Sequence, residues 1–132
     1  MTLTKPEGLE GSVMLNWQET GRHQNRMMET LNIILGNHPE ILEFLFEKDR
    51  PRLNHEPEIL LSRSAGFSSG QRVLIRTALD LWNGSGEVKL WQIIEDLDAN
   101  NYKNVIQGLG HLRGIDEADD SGMRWRQPKM AY

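Results

Sequence analysis

Gly66-Phe67-Ser68-Ser69-Gly70 has the spacing G-x-S-x-G, in which a serine on a sharp turn can act as a nucleophile. That chemistry needs a strand before the serine, a helix after it, and acid and histidine partners further along the chain. A helix is expected after Ser68, but the residues before it read as helix and loop. His111 is the only later histidine, and 132 residues is short for a fold built around such a turn. Ser68 is therefore read as a helix cap, and no catalytic residue is assigned.

Ser69-Gly70-Gln71-Arg72 resembles the signature loop of ABC ATPases, where a helix N-terminus faces a phosphate. The partner motif G-x-x-x-x-G-K-[ST] is absent, so no cofactor is assigned. His23, His38, His55 and His111 are dispersed, with no H-x-x-x-H or H-E-x-x-H spacing. His55 with Glu56 and Glu58 reads as a solvated loop. The acidic run from Asp116 to Asp120 lacks the glycine and terminal glutamate of a calcium loop and reads as a solvated linker. No metal site is assigned. The chain has no cysteine, which excludes disulfides, thiolate metal sites and cysteine nucleophiles.

Length and composition set the frame. A chain of 132 residues is expected to form one domain with a real core. The opening MTLTKPEGLEG lacks the apolar run of a signal peptide, and no stretch approaches the length of a membrane helix. A soluble, cytoplasmic protein with no membrane partner is the expectation. The net charge of −4 opposes broad nucleic-acid binding, which draws most of its affinity from neutralised phosphates.

The positioning elements are expected to be helices. Residues 1–12 read as a flexible lead-in, residues 16–66 as a helical base, 67–114 as a trihelical unit and 115–132 as a loose tail. A first helix is expected from Asn16, carrying Trp17, Thr20, Gln24, Met27, Met28, Leu31, Ile34 and Leu35 as a stripe and ending at Gly36. Pro39 suits a first helical position, and Ile41 to Phe46 are apolar nearly all round, so this helix should be central. Lys48 and Arg50 near its end would complement the helix dipole. Residues 49–55 read as a loop. Pro57 should open a shorter helix ending near Gly66.

From Ser68 the punctuation is sharper. Ser68 and Gln71 are placed for a capping box, and Asn83-Gly84 should stop the helix. Leu74, Ala78, Leu81 and Trp82 lie on one side, widened by Ile75 and Leu79. A short helix follows, with Leu90, Ile93, Ile94 and Leu97 on one face and Trp91 off it. The last helix carries Tyr102, Val105, Ile106, Leu109 and Leu112 on one face. Asn101, Lys103, Asn104, Gln107 and His111 lie on the other. Gly108 and Gly110 each cost about 1 kcal/mol relative to Ala, and would allow close packing against another backbone. Gly114 is the expected stop.

Residues 66–114 resemble the core of winged-helix regulators. The resemblance implies a third helix in the major groove, with amides and a cation on base edges. Lys103, Asn104, Gln107 and His111 would then read bases, with Arg72, Arg76 or Arg113 on phosphates. Two features depart from the pattern. Glu95, Asp96 and Asp98 cluster where phosphates would pass, and acidic residues stand after Gly114 where a basic wing belongs.

Four tryptophans remain to be placed. Trp82 falls in a core stripe. Trp91 and Trp125 fit an interface, where tryptophan is enriched, and Met27 and Met28 would add an adaptable surface, although ordinary core filling is the favoured reading of these residues. Arg124, Arg126 and Lys129 surround Trp125. The expectation is an all-α, compact single domain of five to six helices with a helix-turn-helix-like trihelical C-terminal half. Its function is expected to be a non-enzymatic accessory or adaptor role, binding another protein. The alternative is a DNA-binding regulator using the helix around residues 101–113. The contact residues assigned are Trp91, Lys103, Asn104, Gln107, His111, Arg113 and Trp125, with a homo-oligomer left open.

Overall fold

The computed structural model describes residues 14–18 and 21–115. Within them the chain forms six α-helices: α1 (Arg22–Leu35), α2 (Pro39–Leu45), α3 (Pro57–Arg63), α4 (Ser69–Asn83), α5 (Leu90–Asp96) and α6 (Ala99–Arg113). A 3-10 turn over Ser64–Gly66 links α3 to α4. Among the described residues there is no strand, only an isolated antiparallel bridge between Phe46 and Leu53. The all-α expectation holds. Trp125 and the acidic run from Asp116 lie outside the described residues.

The helix expected from Asn16 begins only at Arg22. Residues 14–18 are not helical, because partners elsewhere satisfy that backbone better than a helical turn would. Asn16 N donates to Lys48 O (2.8 Å) and Gln18 N to Asp49 O (3.2 Å). The Asn32 side chain brackets Leu15, accepting from its N (3.0 Å) and donating to its O (3.1 Å). Trp17 is core all the same. Its indole N–H donates to Glu47 O (3.0 Å), and its ring packs edge-on to Phe46 and Trp82. Met27 is buried and Met28 partly so, with Met28 Sδ 3.1 Å from Trp17 N. Met27 and Met28 therefore fill the core, the reading their place on the apolar stripe favours, and form no contact surface.

α2 has proline at its first turn, and Ile41, Leu42 and Leu45 are fully enclosed. It stops at Leu45, so Lys48 and Arg50 lie beyond its last turn and do not cap it. The Asn54 side-chain amide serves there, donating to Glu43 O, Phe44 O and Phe46 O. This satisfies carbonyls that a helix end leaves orphaned.

α4 matches its sequence signals. Ser68 and Gln71 form the reciprocal capping box. Gly84 closes the helix at φ +80°, a left-handed conformation that glycine adopts without a Cβ penalty. Val73, Leu74, Ile75, Ala78 and Leu79 are all buried, as expected of a helix apolar over most of its surface. Buried residues from all six helices join in one cluster, which Leu15 and Trp17 extend from the N-terminal side.

Candidate protein-docking surface

α6 determines what the surface offers. Its chief neighbour is α1, from the other end of the chain. Gly108 lies so close to α1 that a Cβ added there would stand 2.5 Å from Ile34 Cγ1. Polar bonds follow the same line. His111 Nε2 donates to Glu29 Oε1 (2.8 Å), and the Arg26 guanidinium donates to His111 O (2.9 Å). At the other end of α6, His38 Nε2 donates to Asn101 Oδ1 (2.8 Å). Glu40 continues this bridge, lying 3.5 Å from His38 Nδ1 and accepting from Gln71 Nε2 (2.9 Å).

These contacts turn α6 away from its expected orientation. Val105 and Gly108 are the buried residues of the helix, while Asn101, His111 and Leu112 are half-buried beside them. Two residues of the polar face, Asn101 and the base-reading candidate His111, therefore bind His38 just before α2 and Glu29 of α1. Three residues assigned to the core face, Tyr102, Ile106 and Leu109, are 40%, 49% and 38% exposed. The reason is steric and polar. Glycine is the residue that lets α6 approach α1, and Glu29 and His38 give His111 and Asn101 partners in the contact.

α5 shows the same half-burial. Ile93 and Leu97 enter the core, but Leu90, Trp91 and Ile94 are 77%, 63% and 54% exposed. All three sit within little more than one turn. Trp91 is thus an exposed aromatic residue, as its place off the stripe allowed. Glu95, Asp96 and Asp98 are exposed at the far end of α5. Asp98 Oδ1 also accepts from Asn101 N (2.8 Å) and caps α6.

The other assigned residues divide. Lys103, Gln107 and Arg113 are exposed and Asn104 is half-buried. Arg72 and Arg76, assigned to phosphates, donate instead to Phe67 O (2.7 Å) and Gly86 O (2.8 Å). Ser68 caps α4, and a 3-10 turn precedes it where a nucleophile turn needs a strand. The hollow beside His111, about 430 Å³, is lined by Met14, Glu29, Asn32, Ile33 and His111, with Ser68 not among them. No cluster of three metal-ligating side chains occurs among the described residues. No helix among them is long and apolar enough to cross a membrane.

No protein-family model matches this chain. No curated protein matches it. No solved structure matches it.

Proposed function

We propose that this chain is a non-enzymatic adaptor that docks on another protein through the outer face of α5. The observation that carries this reading is the exposure of Leu90, Trp91 and Ile94 together on one short helix. A single exposed leucine on a protein surface needs no explanation, but grouped apolar side chains around a tryptophan do. Full burial of a leucine or isoleucine side chain is worth about 1.5–3 kcal/mol, and the exposed part of each forgoes its share in the isolated chain. A partner recovers that energy, and a rigid tryptophan is a common anchor of such interfaces. The exposed Glu95 and Asp96 beside the patch favour a partner with a basic rim. A cytoplasmic setting belongs to the same proposal and is compatible with the absence of cysteine.

DNA binding is the second reading, favoured by one observation. Lys103 and Gln107 are exposed one turn apart on α6. One experiment separates the two. Fluorescence anisotropy on labelled duplex DNA at low and moderate salt compares the parent with Lys103→Glu plus Gln107→Ala. In parallel, quantitative pull-down compares the parent with Trp91→Ala plus Ile94→Ser. The adaptor reading expects no DNA binding, and a set of captured proteins lost with the α5 variant. Salt-sensitive DNA binding abolished by the α6 variant would overturn it.

A further inference from the structure

We propose that α6 pairs antiparallel with α6 of a second copy of this chain, through Tyr102, Ile106 and Leu109. The proposal goes beyond adaptor docking on α5 and uses a different helix face. The three residues recur at i, i+4 and i+7, one stripe along the helix, and all are at least 38% exposed. Arg113 extends the same stripe one turn further, and Asp98 stands at its start. Both are exposed.

The order along this stripe is self-complementary, which a two-fold interface requires. Midway along it lie residues 105 and 106. If a second α6 runs antiparallel about that midpoint, Tyr102 meets Leu109 of the other copy, and Leu109 meets its Tyr102. Ile106 sits next to the axis and meets its own counterpart. Asp98 then falls opposite Arg113, and Arg113 opposite Asp98. A parallel pairing would set Arg113 against Arg113 and Asp98 against Asp98. Charge therefore selects both the second copy and its direction.

The absence of cysteine from these 132 residues makes a clean test available in the whole chain. Sedimentation velocity at tens of micromolar is expected to give twice the 15.2 kDa chain mass. Ile106→Glu should return it to one, with an unchanged helical circular dichroism spectrum. Ile106→Cys should form an intermolecular disulfide within minutes of mild oxidation, and Gln107→Cys should not. Mixing Tyr102→Cys with Leu109→Cys should give a crosslinked heterodimer. Neither alone should crosslink, because residues seven positions apart lie roughly 10 Å apart along a helix, beyond the reach of a disulfide. A parent that sediments as a monomer would overturn the proposal, whether the stripe is bare or covered by the chain's own C-terminal residues. So would efficient crosslinking of Tyr102→Cys with itself, which would mean parallel pairing. Loss of α5 docking with the dimer intact would leave this inference standing and remove only the adaptor reading, and the converse also holds.

Discussion

Asp80 is a side chain whose importance the sequence did not announce. Its carboxylate accepts from the backbone N–H groups of Gly86, Glu87 and Val88, each at 2.8 Å. It thereby holds the turn that carries the chain from α4 to α5, including Glu87 at φ +53°. A non-glycine residue in that region needs such support. The carbonyl of Gly86 in turn receives the Arg76 guanidinium (2.8 Å), and an added Cβ at Gly86 would stand 1.9 Å from Arg76 O. Asp80→Ala strips the acceptor from three N–H groups and is expected to cost about 2–3 kcal/mol, the range for bonds to a charged group when they are lost without replacement. Asp80→Asn keeps one oxygen acceptor and should fall between variant and parent. Chemical denaturation of the three proteins checks the order, and equal stability of Asp80→Ala and parent would refute the role. In the sequence, Asp80 was only one polar residue in an apolar helix. Its partners lie six to eight residues on, outside helical spacing, so no periodic rule reached it.

At the scale of elements, α4 was legible because its signals are local. Ser68, Gln71 and Gly84 act on backbone groups within a few residues, and their geometry follows from side-chain chemistry alone. α6 was legible as a helix but not in its rotation. Apolar periodicity pointed to Tyr102, Ile106 and Leu109, whereas close approach to α1 runs through Gly108, which has no side chain to count. Gly108→Ala tests this directly. The substitution gains about 1 kcal/mol of helix propensity but overpacks against Ile34, at about 1–3 kcal/mol. The expected net effect is a loss of about 1 kcal/mol, from the balance of those two terms. Pairing it with Ile34→Ala should cost less than the sum of the single changes, because alanine lacks both the Cγ1 and Cδ1 atoms that the new Cβ would meet. A strictly additive double mutant, or a stabilised Gly108→Ala, would show that α1 and α6 are not so close. The start of α1 was misplaced for a related reason. Trp17 keeps register with the stripe that follows, but Asn16 and Gln18 pair with Lys48 and Asp49, residues some thirty positions away.

The whole molecule separates its tryptophans by role. Trp17 is 4% exposed, joined edge-on to Phe46 and Trp82, whereas Trp91 stands in solvent. Trp17→Ala should cost about 3–5 kcal/mol, the usual range for an aromatic residue deleted from a core. Trp91→Ala should stay within about 0.5 kcal/mol of the parent, as surface changes do, while abolishing partner binding. Thermal melts followed by circular dichroism distinguish them, and a large loss for Trp91→Ala would mean that α5 is packed rather than presented. The sequence by itself determined the all-α class, the helix number to within one among the described residues, and most helix ends. Those follow from periodicity, prolines, caps and glycines, which act over one or two turns. It also singled out Trp91, because a tryptophan off its own helix stripe has no local place to bury. Only the tertiary structure decided that residues 14–18 are not helical, that α6 rests on α1, and that Tyr102, Ile106 and Leu109 face outward while Asn101 and His111 face in. Each of those outcomes depends on a partner far along the chain, and local spacing holds no information about which distant groups will meet.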